Sequence, residues 1–250
     1  MTGHDHGIGM GHLVATQPTI GEFESCDEFV THTKAQAQGL RDCLRKDLLL
    51  QPNPPKIVSL PAEARTRLRS ITAKARLPTR PKTVMYSASM YVGERMSFMV
   101  QFPDIVALDW EARLFSHLSK WSYETIHKPH PDSVAFPSGG FSEAFGGSTL
   151  MDRLEQVMDL ADVFILVNPQ TTTLAPILAS GKGVLYIDLG RVEFTPQAYR
   201  MFGQRCAIVN GWFDDDNRIQ VDWDQLHTAI EESVHLKDDS FLENYSGMEF

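Results

Sequence analysis

Val163-Phe164-Ile165-Leu166-Val167-Asn168-Pro169-Gln170-Thr171-Thr172-Thr173 decides how this chain folds. The run from Val163 to Val167 is continuously apolar, the pattern of a strand buried on both faces of a sheet. Asn168 and Pro169 end it, and Leu174 to Ser180 reads as a helix. A buried strand that feeds a helix is the repeating unit of a parallel α/β sheet.

The alternation extends in both directions from this unit. Upstream, the pattern predicts a strand over 83–88, a helix over 105–120, a strand over 122–128, a loop over 132–148 and a helix over 149–161. Downstream it predicts a helix over 172–181, a strand over 183–188, a helix near 195–203, a short strand from Arg205 to Val209 and a helix from Trp223 to Val234. The expected fold class is therefore α/β, with a Rossmann-like parallel sheet over 83–235.

Residues 1–61 promise less. The first twenty are rich in Gly and His, lack periodicity and read as a loop. Asp27 to Thr33 reads as a strand, and Lys34 to Leu50 as a helix with Ala37, Leu40, Leu44 and Leu48 on one face and Thr33 as N-cap. Gln51 to Pro55 is a proline-rich stop, and Ile57 to Pro61 a second strand. These elements predict the end of a partial N-terminal α/β domain. Residues 62–82, charged and closed by Leu77-Pro78-Thr79-Arg80-Pro81, read as a linker, and 236–250 as a polar, mobile tail.

Composition narrows the function. Of 250 residues, 42% are apolar and 22% charged, the balance of a soluble globular chain. A net charge of −9 argues against sequence-independent nucleic-acid binding, which needs clustered cations. The 3 cysteines, Cys26, Cys43 and Cys206, form no disulfide framework or CxxC pattern, which fits a reducing, cytoplasmic compartment. No apolar run reaches the ~18 residues of a membrane span. The basic stretch Arg65 to Lys82 allows at most peripheral contact with a membrane, and a solvated helix and linker is its plainer reading.

The residues that suit chemistry gather at predicted strand ends. Tyr123 to Lys128 runs into Pro129-His130-Pro131, where the two prolines hold the backbone extended. Lys128 and His130 there have the charge to neutralise a phosphate. Thr171, Thr172 and Thr173 stand before a helix, where hydroxyls and free N–H groups accept anions. One threonine would suffice as a cap. Ser87 and Ser89, in Tyr86-Ser87-Ala88-Ser89-Met90-Tyr91, are small enough to let a phosphate approach the backbone, and they equally suit a tight turn. Glu94, further along that loop, has no assigned role.

The donors His4, Asp5, His6 and His12 follow neither zinc-finger nor HExxH spacing, so no metal is expected. A histidine acting as general base on a hydroxyl is the better reading of His6. No GxGxxG follows a strand and no GxxxxGK[ST] occurs, so neither a nicotinamide or flavin site nor a nucleoside-triphosphatase loop is indicated. Asp214-Asp215-Asp216 reads as a solvated turn and Cys206 as core.

Lys128-Pro129-His130-Pro131, Asp159-Leu160-Ala161-Asp162-Val163, Thr171-Thr172-Thr173 and Gly181-Lys182-Gly183-Val184-Leu185-Tyr186-Ile187-Asp188 together resemble the C-terminal, nucleotide-binding half of GT-B glycosyltransferases. Within these the pattern is most similar to enzymes of bacterial surface polymers: CDP-glycerol glycerophosphotransferases of teichoic acid synthesis and capsule transferases that use CMP-activated sugars. The resemblance implies that His130 and the three threonines hold donor phosphates. His6-Gly7 resembles the His-Gly motif whose histidine is the proposed base. It further implies a nucleotide-sugar or CDP-polyol donor, a glycan or lipid-linked acceptor, no cofactor and no metal. The early strands of the N-terminal half have no counterpart here, which leaves open a fragment of a larger transferase, one member of a split pair whose partner subunit supplies those strands, or a degenerate relative. Two other readings stay open: a non-catalytic nucleotide- or glycan-binding subunit, and a sugar-nucleotide epimerase, which shares the fold.

Overall fold

The structure is a computed structural model and describes residues 1–4, 11–14, 23, 26–46, 54–60, 79–91, 103–131, 133 and 141–246. Two sheets organise it. The small sheet comprises β1 (Thr2–His4), β2 (Glu28–Thr31) and β3 (Lys56–Ser59), in that order and all parallel. Helix α1 (Lys34–Lys46) connects β2 towards β3 and buries Ala37 and Leu40 against Phe29 and Ile57. Its start is a reciprocal cap. The Gln36 amide donates to Thr33 Oγ1, and the Thr33 amide donates to Gln36 Oε1, both at 3.0 Å. Residues 1–20 were expected to be a loop; instead Thr2–His4 pairs in register with Glu28–Val30. A three-residue strand carries too little periodicity to read, and it forms because β2 offers it a free edge.

The large sheet holds seven strands. They are β4 (Thr83–Ser87), β5 (Glu124–Lys128), β6 (Ser148–Thr149), β7 (Val163–Leu166), β8 (Gly183–Asp188), β9 (Ala207–Phe213) and β10 (Ile219–Val221). Their order is β10-β9-β8-β7-β4-β5-β6, and only β10 is antiparallel. Read from β6 to β9, this is the doubly wound order 3-2-1-4-5-6. The chain builds outward from β4 to β5 and β6, then returns to build β7, β8 and β9 on the other side.

The interleaved helices are α2 (Asp104–Lys120), α3 (Phe141–Ala144), α4 (Leu154–Val157, continued as a 3-10 turn over Met158–Leu160), α5 (Leu174–Ala179), α6 (Pro196–Arg205), α7 (Trp223–Ser233) and α8 (Ser240–Tyr245). They cover both faces, which is why β7 is buried at every position. On one face α2 and α7 pack on Val84, Tyr86, Val163 and Ile165. On the other, α4, α5, α6 and α8 pack on Met85, Phe164, Leu166 and Tyr186. Helix α2 lies flat on its sheet because Ala107, Trp110, Glu111, Leu114, Phe115 and Leu118 recur at 3–4 spacing. Thr195 and Asp222 cap α6 and α7 by accepting the amides of Ala198 and Gln225.

Two expectations fail here for tertiary reasons. The helix read over 149–161 begins only at Leu154, because Ser148 and Thr149 pair instead with Ile126 and His127 as an edge strand. The tail from Lys237, read as mobile, carries α8, with Phe241 and Leu242 fully buried. Helix α8 also joins the two sheets. Gln36 Nε2 of α1 donates to the Tyr245 carbonyl at 2.7 Å, and Thr33 Oγ1 donates to that of Asn244. On the same side, the amide of Val14 donates to Glu193 O and that of Thr195 to His12 O, both at 2.8 Å. Gly39 permits this arrangement: a Cβ there would stand 2.0 Å from the Gly11 carbonyl oxygen. The linker expected over 62–82 lies mostly outside the described residues.

Candidate functional site

In a doubly wound sheet the crevice opens where the winding reverses, outside the carboxyl ends of the strands. Here that point lies between β4 and β7, which pair over Val84–Tyr86 and Val163–Ile165. The segments that leave their carboxyl ends begin with Ala88-Ser89 and with Val167-Asn168. Next to β4 on its other side is β5, whose last residue Lys128 registers with Ser87. The Ala88 amide continues the ladder by donating to Lys128 O at 3.0 Å.

Ser87, Ser89, Lys128, His130 and Thr171 to Thr173 therefore leave three adjacent strands at one edge of the sheet. Strand β4 lies between β5 and β7, so the carboxyl ends of those two strands are about 10 Å apart, two strand spacings.

Each side chain has its own local setting. Lys128 is buried, and its Nζ donates to the Pro129 carbonyl at 3.1 Å. Burial lowers its pKa, while Asp152 and Glu155 act against that. The ammonium thus faces the start of α4 as much as the crevice. His130 is half-buried, and its carbonyl accepts the Ser133 amide at 3.1 Å, closing a turn through Pro131. Ser89 Oγ is buried and has no hydrogen-bond partner among the described residues.

The threonines form a turn. Thr171 Oγ1 and Thr173 Oγ1 lie 2.9 Å apart, the Leu174 amide donates to Thr171 O at 3.1 Å, and Thr172 is exposed. Thr173 makes no side-chain cap on α5. That helix is only 6 residues long, so its dipole adds little to anion affinity. Asn168, where the apolar run ends, shapes the exit of β7: its Oδ1 accepts the Gln170 amide at 2.8 Å. Asp188 ends the next strand, where it accepts the Tyr199 hydroxyl at 3.1 Å and the Gly190 amide at 2.9 Å.

His6, the expected base, and Glu94 lie outside the described residues. His12, one of the candidate metal donors, is fully buried among Phe194, Phe241 and Tyr245 and serves packing between the two sheets. Among the described residues no group of His, Cys, Asp or Glu could hold a metal ion. Asp214 accepts the amides of Asp216 and Arg218 in the β9–β10 turn, and Cys206 is buried, its thiol pushed up to about 12 by desolvation. A cavity of about 260 Å³ beside Cys206, Gln225 and Glu232 lies between α6 and α7 at the amino end of β9, away from the crevice. No helix among the described residues is long and apolar enough to cross a membrane.

A buried group beneath β4 and β5 was also missed. Glu111 of α2 and His127 of β5 approach with Oε2 and Nε2 3.5 Å apart, 1% and 3% exposed. Burial pushes Glu111 from 4.5 up to about 8, partly offset by the hydroxyls of Tyr91 and Tyr86. Desolvation pulls His127 from 6.5 down to about 4, with Glu143 acting against it. A glutamate at a sheet-facing helical position was the available signal. Its apolar neighbours at 3–4 spacing already placed it inside.

No family model and no curated protein matches this chain. Among solved structures it is similar to one described as "Trehalose-6-phosphate from E. coli bound with UDP-2-fluoro glucose". The TM-score is 0.44 at 12% identity, over 92% of this chain and 58% of that one. It is also similar to a variant of the wall teichoic acid polymerase TagF, with a TM-score of 0.37 at 12% identity, over 94% of this chain and 57% of that one. The chain thus spans less than two thirds of the length of either structure.

Proposed function

We propose that the carboxyl edge of the large sheet binds a nucleotide-activated donor, and that the chain transfers its sugar or polyol-phosphate group to a hydroxyl of a bacterial surface glycan or polymer. One observation carries the donor part of this reading. The winding reversal between β4 and β7 is flanked by hydroxyls on both sides, among them Ser89 Oγ, which has no hydrogen-bond partner among the described residues, with His130 one strand away.

In this reading Ser87, Ser89 and Thr171 to Thr173 donate hydrogen bonds to the donor phosphates. Lys128 and His130 supply positive charge that grows in value as the phosphate departs. His6 takes the proton of the acceptor hydroxyl. The resemblance of Lys128-Pro129-His130-Pro131 and of the threonine run to GT-B transferases of capsule and teichoic acid synthesis supports the same assignment. A lipid-linked acceptor would bring the chain to the inner face of a membrane by peripheral contact. No cofactor or metal takes part.

A second reading is a nucleotide- or glycan-binding subunit that completes a larger transferase.

Titration calorimetry with CMP, CDP and UDP tests the donor site. The wild-type chain is expected to bind at least one of them, and His130→Ala to weaken that binding by roughly tenfold, the value of one charge-assisted contact. Equal affinity of the variant, or no binding by the wild type, removes the assignment. Turnover of the bound donor with a hydroxyl acceptor then separates the transferase from the binding subunit.

A further inference from the structure

The exits of β4 and β5 are held from beneath by buried polar side chains that the strand-end site does not itself use. Glu111 projects from the sheet-facing side of α2 between residues of three segments. Tyr86 comes from β4, His127 from β5 and Tyr91 from the segment after β4. The hydroxyls of Tyr86 and Tyr91 lie close enough to the Glu111 carboxyl to act against the upward pull of burial on its pKa. Its Oε2 stands 3.5 Å from His127 Nε2, just beyond the range of a well-formed hydrogen bond. Neither of those two atoms has a hydrogen-bond partner among the described residues.

From this group two short paths reach the site. His127 is the residue before Lys128 on β5. Tyr91 donates its amide to Ser133 Oγ at 3.0 Å, and Ser133 donates its own amide to His130 O. The turn that carries His130 is therefore tied to Tyr91, whose hydroxyl lies near the Glu111 carboxyl.

We propose that Glu111, paired with His127, is a positioning residue for the strand-end site, fixing the exits of β4 and β5 through one proton held between carboxyl and imidazole. The role assigned to those exits rests on the donor-binding reading above; the holding of the exits does not.

A buried carboxyl and a buried imidazole bind each other best when they share a single proton, since both are then hydrogen-bonded and the pair is neutral overall. At neutral pH that proton sits on Glu111, because burial penalises its charged form and that of His127 alike. Among the described residues no cation is among the groups that set the Glu111 proton, and Lys128 acts on His127 instead. The groups facing the pair are the two tyrosines, with Asp104 acting on Tyr91, and Glu143 and Lys128 acting on His127. Lys128 is turned to Pro129 O. Loss of the proton leaves a charged carboxylate in a buried site that penalises it, whichever imidazole nitrogen keeps its N–H, and the common anchor of the two strand exits weakens.

Amide hydrogen exchange followed by mass spectrometry on the full chain tests this. The wild type, Glu111→Gln and Glu111→Leu are compared, with rates corrected for intrinsic base catalysis. Between about pH 7 and about pH 9, wild-type protection over 86–91 and 127–133 should fall roughly tenfold, the effect of going one pH unit past the carboxyl's own titration. The glutamine variant, which can donate to Nε2 at any pH, should keep its protection. The leucine variant should have lost it already at neutral pH, while 163–188 stays protected in all three. Equal pH responses in wild type and Glu111→Gln, or full protection in Glu111→Leu, would overturn the proposal. Affinity for CDP and UDP, measured on the same samples, should follow the protection. Failure of the wild type to bind either nucleotide sinks the donor reading alone, and the exchange data still decide whether Glu111 holds the exits.

Discussion

Replacing Glu111 by Gln should change how stability depends on pH, and the size of the change follows from two titrations. Glu111 is displaced from 4.5 up to about 8 on folding, and His127 from 6.5 down to about 4. Stability falls with pH wherever the native state holds more protons than the unfolded chain, by about 1.4 kcal/mol per pH unit and proton. Between 4.5 and 6.5 the native chain keeps the Glu111 proton and lacks the His127 proton, and the unfolded chain does the reverse. The slopes cancel and the pair contributes a flat plateau. Above 6.5 the unfolded chain holds neither proton while native Glu111 keeps its own until about 8. The pair therefore withdraws about 2 kcal/mol of stability across that window. His127 titrates below it, so the loss isolates the carboxyl. Urea unfolding of wild type and Glu111→Gln at both ends of the window measures it. The wild type should lose about 2 kcal/mol more than the variant. Identical losses would show that Glu111 is ionised in the native protein and that burial is not what sets its proton.

Other substitutions test the packing. Arg205 is fully buried and donates to the carbonyls of Leu178, Lys182 and Leu236, so Arg205→Ala should cost about 3 kcal/mol or more in denaturant unfolding, with little rescue by lysine, which cannot span all three. Phe241→Ala should cost about 3–5 kcal/mol and loosen α8 from α6, read as lower midpoint and faster exchange over 240–245. Gly39→Ala drives a methyl into the Gly11 carbonyl and should destabilise by more than about 2 kcal/mol; a neutral effect would mean that the 11–14 segment does not pass where it is placed. Cys206, with its thiol held near 12, should resist a thiol reagent in the native chain and react on unfolding.

The alternation of buried strands and amphipathic helices from Thr83 onward could be read directly, because a doubly covered parallel sheet imposes long, continuous apolar runs such as Val163 to Val167. The reciprocal cap at Thr33 and Gln36 and the aspartate turn after β9 were equally local, each written within a few residues. Strand ends bearing Lys128, His130 and the threonines were therefore visible as candidates. Their separation was not: only the strand order puts β4 between β5 and β7, and only packing turns the Lys128 ammonium to Pro129.

The sequence by itself determined most strands and helices between Thr83 and Ser233 and which chemical groups stand at their ends, since propensity and periodicity act over a few residues. The tertiary structure alone decided that Thr2–His4 adds a strand, that α8 clamps the two sheets, and that Glu111 meets His127. Each of these joins residues at least sixteen positions apart, and no local pattern records a contact whose partners meet only once the layers have packed.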